Sequence, residues 1–146
     1  MYKTILVPLD ESKRAEAILP HVKELAQFYQ AEVIFLCVLN PVPIVPGVEG
    51  AFQGIDPITA EQQMKEAKSY LAALQGEFRE KGLATRMIVT YGTVVPTILD
   101  FAKREGVDLI AIASHGRSGL PRVFYGSVAA GVLQGVDRPL LVIRSA

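Results

Sequence analysis

The stretch from Ala113 to Ser127 contains the residues with the clearest capacity for chemistry. It holds three glycines, two arginines and one histidine but no carboxylate, which gives it a local charge of about +2. Glycine lets the backbone approach a ligand closely. Gly126 and Ser127 are predicted to open a helix, with Ser127 as its N-cap, and the free N–H groups of a helix N-terminus attract phosphate. This stretch therefore predicts a binding site for an anion of the phosphate type.

Common catalytic and nucleotide-binding signatures are absent from the sequence. There is no GxxxxGK[ST] pattern, and the first predicted turn, residues 9–13, has no glycine, which excludes a P-loop and a dinucleotide-binding turn. HExxH, GxSxG and EF-hand patterns are also missing, and neither His21 nor His115 lies in a context that suggests a metal site or a catalytic triad. Cys37 has no partner for an internal disulfide and is predicted to be a small buried apolar residue. No hydrolytic machinery is expected.

Apolar runs alternate with amphipathic segments along the chain. Strands are predicted at residues 4–9, 33–39, 84–90, 108–113 and 140–143. Helices are predicted from Ser12 to about Gln30, from about Pro57 to about Lys81, around Val94 to Ala102, and from Gly126 to about Gln134. The Pro- and Gly-rich segment 40–57 is expected to be a long loop, either a passive linker or a lid. This order predicts one α/β domain over residues 1–146, with a parallel sheet covered by helices on both faces.

Composition and charge limit the class of protein further. The chain has 146 residues, 50% of them hydrophobic, which suits one domain with a substantial core. Basic and acidic residues both number 15, so the bulk positive field of non-specific nucleic-acid binders is excluded. No apolar run approaches the roughly 18 residues of a membrane span. The sequence therefore predicts a cytoplasmic protein that neither binds nucleic acid nor inserts into a membrane.

In a doubly wound sheet, ligands bind beyond the carboxyl ends of the strands where the winding reverses. Asp10 follows the first predicted strand, and the stretch Ala113-Ser114-His115-Gly116 follows the fourth. This combination resembles the universal stress protein family, whose ATP-binding members carry G-x2-G-x9-G-[ST] at that place. The second glycine and the Gly126-Ser127 pair match in spacing, and the segments KTILVPLD, Val38 and RPLLVIR agree as well.

The resemblance implies a five-stranded, Rossmann-like fold with strand order 3-2-1-4-5. It also implies that the ligand is ATP, possibly with Mg²⁺, for which Asp10 is the only candidate protein ligand. One residue departs from the motif, because Ala113 stands where nucleotide-binding members usually have glycine. A methyl group costs about 1–2 kcal/mol if that backbone needs a positive φ, and it is a small intrusion if only closeness to the ligand matters.

By resemblance, each end of the nucleotide has its own residues. Asp10 would bond the ribose or adenine, and Val38 would offer backbone groups to the adenine edge, with Ile112 lining the same slot. The rest of the implied site consists of Pro8, Leu9, Ala113, Gly116, Arg117, Gly119, Gly126, Ser127 and Val128. The three glycines, Ser127 and Val128 would hold the phosphates, and Arg117 could add positive charge.

The last predicted strand suggests an assembly, and the sequence allows more than one function. An apolar edge strand would leave backbone groups unpaired, and by resemblance the chain would form a homodimer through Leu140, Leu141, Val142 and Ile143. The first hypothesis is an ATP-binding sensor or regulator of the stress response, with slow or no hydrolysis. The alternative is a nucleotide-free dimeric interaction module that regulates an unknown protein partner. A third possibility is an adenylate-transferring enzyme, but the sequence shows no set of catalytic residues for the second substrate of such an enzyme.

Overall fold

The computed structural model describes residues 1–40, 57–115 and 126–145. Its strands are β1 (Thr4–Pro8), β2 (Glu32–Leu39), β3 (Thr85–Tyr91), β4 (Leu109–His115) and β5 (Leu140–Ser145). Its α-helices are α1 (Leu19–Tyr29), α2 (Pro57–Glu80), α3 (Val94–Arg104) and α4 (Ser127–Gly135). The strands form one sheet in the order β3-β2-β1-β4-β5, with every neighbouring pair parallel. The predicted α/β fold and strand order are confirmed.

The central strands β1, β2 and β4 are buried because they are apolar on both faces. Helices α1 and α2 cover the first face, where Phe35 of β2 and Phe78 of α2 meet edge to face with ring centroids 5.0 Å apart. Helices α3 and α4 cover the second face, and they pack residues such as Ile98 and Val132 against it. Burial of both faces explains why these central strands are continuous apolar runs in the sequence rather than alternating patterns.

The predicted helix from Ser12 to Gln30 is wrong at its start. The chain forms a short 3-10 helix over Ala15–Ile18, and the α-helix begins only at Leu19. Pro20 lies in the first turn of α1, where its missing N–H leaves no hydrogen bond unmade. Deeper inside a continuous helix, the same ring would clash with the carbonyl group four residues earlier. The proline therefore sets the start of the α-helix.

Strands β4 and β5 each extend two residues further at their carboxyl ends than predicted. Ser114 and His115 continue β4, and they pair in register with Arg144 and Ser145 of β5. The Ser145 hydroxyl also donates a 2.9 Å hydrogen bond to the carbonyl oxygen of Ser114. The prediction ended these strands where the apolar run ends, because their last residues are polar. Backbone pairing keeps those residues in the sheet.

The winding of the sheet reverses between β1 and β4. From β1 the chain moves to β2 and β3 on one side, and later to β4 and β5 on the other. The carboxyl ends of β1 and β4 therefore border a crevice that no crossover connection fills. Within the ranges that the structure describes, no helix is long and apolar enough to span a membrane.

Candidate functional site

A cavity of about 260 Å³ lies at the carboxyl ends of β1 and β4. Residues from the ends of β1, β2 and β4 line it, together with the N-terminal turns of α3 and α4 and the loop after β1. Of the residues singled out in the sequence, it brings together Pro8, Leu9, Asp10, Val38, Ile112, Ala113, Gly126, Ser127 and Val128. Gly116, Arg117 and Gly119 lie outside the described residues, as does the loop over residues 41–56.

The cavity has an apolar slot between β2, β4 and α3. Leu36, Ile98 and Ile112 form its buried walls, and the half-buried Val38 and Val94 complete it. The side chains of Val94 and Ile98 were not predicted to reach the site, because the sequence alone does not show that α3 starts beside the end of β2. A slot walled by aliphatic side chains suits a flat apolar ring, such as a nucleobase.

The loop after β1 fixes the position of the Asp10 carboxylate. Its Oδ1 accepts a 3.0 Å hydrogen bond from the backbone N–H of Ser12 and a second one from the Ser12 hydroxyl. The Ser12 hydroxyl oxygen in turn accepts a bond from the N–H of Ala15 at 3.2 Å. Glu11 between them adopts a left-handed backbone conformation with φ 68°. The carboxylate of Asp10 is thus exposed at the cavity but held in one orientation.

Glu11 itself has a perturbed carboxyl group. Partial burial, together with the negative charges of Glu66 and Asp10, raises the pKa of Glu11 above its ordinary value. The described residues contain no group of three or more His, Cys, Asp or Glu side chains arranged to hold a metal ion. Asp10 is therefore the carboxylate of this cavity that could contact a ligand-bound cation.

The end of the cavity at the start of α4, away from the apolar slot, is polar. Gly126 is the N-cap of α4, with φ 77° and ψ 158°, and no side chain among the described residues caps the first N–H groups of the helix. The prediction of Ser127 as the N-cap is wrong, since Ser127 is the first helical residue. Glycine takes the N-cap position because its backbone angles there are accessible almost only to a residue without Cβ. Within the ranges that the structure describes, no acceptor engages the first N–H groups of α4, so they are available to a ligand.

Ser114 adds a second unsatisfied group at this end. The residue lines the cavity and is 3% exposed, and its Oγ has no hydrogen-bond partner within the described part of the chain. A buried hydroxyl without a partner costs free energy, so such groups usually point to a missing ligand or water. The sequence offered no signal for this role, because Ser114 was placed in the loop rather than in β4.

Ala113 has ordinary strand geometry. It lies within β4, pairs in register with Ile143 of β5, and does not have a positive φ. Its side chain packs against the apolar cluster on the α1 and α2 face of the sheet. Of the two alternatives left open at this position, backbone strain is therefore excluded, and only the bulk of one methyl group remains.

The thiol of Cys37 lies in β2 and is 2% exposed. Burial, with the charges of Glu11 and Asp10, raises the pKa of Cys37 to about 11. Compared with the ordinary value of 9.0, the thiolate fraction near pH 8 falls about a hundredfold. We expect the folded protein to react with a disulfide reagent at least that much more slowly than the protein unfolded in guanidinium. Equal rates in the two states would contradict this.

Comparison with known proteins places these features in a family. The model of the universal stress protein family matches residues 1–144. A universal stress protein of Methanocaldococcus jannaschii, MJ0577, is 32% identical in an alignment 155 residues long that covers 99% of this chain and 96% of that protein. The solved structure of MJ0577 superposes with a TM-score of 0.80 at 30% identity, covering 100% of this chain and 98% of that one. The universal stress protein of Archaeoglobus fulgidus in complex with dAMP shares the fold, with a TM-score of 0.62, 24% identity and coverage of 97% and 98%.

Proposed function

The chain belongs to the universal stress protein family, and on this basis we propose that it binds an adenine nucleotide, in the first place ATP, in the cavity between β1 and β4. One observation carries the proposal: the apolar slot and the unsatisfied polar end belong to the same cavity, at the reversal of the winding. A nucleotide has the same division into a flat base and an anionic tail.

Each part of the cavity then has a role. The base occupies the slot beside Ile112, where the backbone of Val38 faces its edge. Asp10, already oriented by Ser12, accepts a hydrogen bond from a ribose hydroxyl. The N–H groups that begin α4, at Ser127 and Val128, bind phosphate with the Gly126 backbone beside them. The polar end fits phosphate because its donors lack partners among the described residues.

The remaining implied residues stay predictions. Gly116, Arg117 and Gly119 would complete the phosphate site. Mg²⁺ ordinarily binds through one or two carboxylates together with phosphate oxygens and water. Asp10 alone would meet that need, and the ion would neutralise phosphate charge.

We propose that occupancy, rather than turnover, is the output of this site. Rapid phosphoryl transfer requires an organised metal and a residue that positions water, together with cations for the transition state. Asp10 is the one carboxylate among the described lining residues, and two hydrogen bonds from Ser12 already engage it. Hydrolysis is expected to be slow or absent, and nucleotide binding would regulate an as yet unknown protein partner in the stress response.

The proposed assembly is a homodimer formed through β5. This strand lies at an edge of the sheet, and Leu140, Leu141, Val142 and Ile143 are only half buried. Pairing with a second copy would satisfy the free backbone groups of that edge and cover these side chains. The buried, unpaired Cys37 suits the reducing cytoplasm that the sequence predicts.

Native mass spectrometry of protein purified without added nucleotide, followed by calorimetric titration with ATP, tests both proposals. We expect a dimer that retains or takes up one adenine nucleotide per chain. A dimer that stays empty in millimolar ATP would overturn nucleotide binding and favour the nucleotide-free interaction module. A monomer that binds ATP would overturn the assembly alone.

Restoring the motif glycine by Ala113→Gly is expected to change little in binding. No positive φ exists at this position to be relieved, so the ATP dissociation constant should stay within about threefold, or about 0.7 kcal/mol. Stability should fall by about 0.5–1 kcal/mol, because glycine in a strand loses more conformational entropy on folding. Calorimetry and thermal unfolding measure the two effects. A tenfold gain in affinity would show instead that the methyl group obstructs the ligand.

A further inference from the structure

Arg14 presents an unpaired positive charge to the same cavity. The residue is exposed and lines the cavity, yet its side chain makes no ion pair or hydrogen bond with any described residue. Arg86 and Arg138, by contrast, are paired with carboxylates. A cation on a cavity wall that has no partner in the described part of the chain is available to a ligand.

Of the three acidic residues close to Arg14 in sequence, Asp10 and Glu16 are engaged elsewhere, and Glu11 forms no ion pair with Arg14. The Asp10 carboxylate is held by the N–H and the hydroxyl of Ser12. The Glu16 carboxylate accepts a 2.9 Å hydrogen bond from the hydroxyl of Tyr70, on α2. These bonds turn both carboxylates toward other partners, so the guanidinium of Arg14 is not neutralised locally.

The position of Arg14 places it at the polar end of the cavity, where phosphate is proposed to bind. It directly precedes the 3-10 helix Ala15–Ile18, which packs on β4 and β5. Ala15 and Ala113 both pack in the apolar cluster on the face of the sheet that α1 and α2 cover. The apolar slot lies on the opposite face, where α3 packs, and Leu36, Val38, Val94, Ile98 and Ile112 wall it. Arg14 and the N-terminus of α4 therefore flank the end of β4 from opposite faces of the sheet.

We propose that Arg14 reads the charge of the ligand, binding the outer phosphates and making the cavity selective for nucleoside di- and triphosphates over AMP and adenosine. This inference rests on the proposed function. The helix N-terminus, together with the Ser114 hydroxyl, which has no partner among the described residues, satisfies the phosphate nearest to the ribose. A guanidinium group offers paired N–H donors and a full positive charge to the phosphates beyond it.

The test compares Arg14→Gln with Lys13→Gln. Both variants remove one positive charge from adjacent exposed residues, but Lys13 does not line the cavity. Dissociation constants for ATP, ADP, AMP and adenosine are measured by calorimetry at one ionic strength, with circular dichroism to check the fold. We expect Arg14→Gln to weaken ATP and ADP binding about tenfold and AMP and adenosine binding less than about twofold. Lys13→Gln should leave the ratio of ATP to AMP affinity unchanged.

Three results would overturn the inference, and they are distinguishable. If Arg14→Gln keeps the wild-type ratio of ATP to AMP affinity, Arg14 does not read charge, although the proposed function stands. If both variants weaken ATP binding equally, the effect is long-range electrostatics rather than contact. If the wild-type protein binds none of the four ligands, the proposed function fails and this inference fails with it. The ATP affinity of Arg14→Lys should lie between those of the wild type and Arg14→Gln, since lysine retains the charge but not the paired N–H donors.

Discussion

Replacing Gly126 with alanine is expected to weaken ATP binding at least about thirtyfold, or about 2 kcal/mol. Gly126 has φ 77° and ψ 158°, a region that is essentially restricted to glycine and costs other residues about 1–3 kcal/mol. Alanine can relieve this strain only by moving the backbone at the start of α4. That movement displaces the first N–H groups of the helix, which are the proposed phosphate donors. Calorimetric titration with ATP measures the loss.

Gly76→Ala is the matched control for this variant. Gly76 is exposed in α2, and a Cβ at that position would meet no atom within 4 Å. The substitution should leave ATP binding unchanged and stabilise the fold by about 0.5–1 kcal/mol, because alanine is the better helix former. If folded Gly126→Ala protein bound ATP as tightly as wild type, the start of α4 would not be the phosphate site.

Replacing Phe78 with alanine is expected to lower the free energy of unfolding by about 3–5 kcal/mol. Phe78 is 1% exposed, and its ring packs edge to face on the fully buried Phe35 at an interplanar angle of 85°. Truncation leaves a cavity between α2 and the sheet and removes this aromatic pair. For a domain of this size, with a total stability of about 5–15 kcal/mol, such a loss is large. Guanidinium unfolding at equilibrium measures it.

Phe28→Ala removes the same side chain from the surface. Phe28 is 79% exposed and contacts the ring of Tyr29, so its truncation should cost less than about 1 kcal/mol. Equal losses for the two variants would mean that α2 does not anchor the first face of the sheet as described.

Much of the fold follows from local sequence pattern. The central strands β1, β2 and β4 are buried on both faces, so each is a short apolar run in the sequence. The pattern failed where polar residues continue a strand, as at Ser114 and Arg144, because pairing with a neighbouring strand and not the side chain keeps them there. It failed also at Pro20, where apolar spacing continues through a residue whose ring must sit in the first turn of a helix.

By itself, the sequence determined the α/β fold and placed Asp10 and the stretch after β4 at one edge of the sheet, because the carboxyl ends of parallel strands meet there. Val38 and Ile112 joined the predicted site through the resemblance to the family. Only the tertiary structure decided that Ala113 is an unstrained strand residue and that Gly126 rather than Ser127 caps α4. It also decided that Ser114 and Arg14 face the same cavity. The physical reason is that a side chain's neighbours across the sheet depend on how helices from both faces pack, and this long-range packing leaves no trace in local spacing.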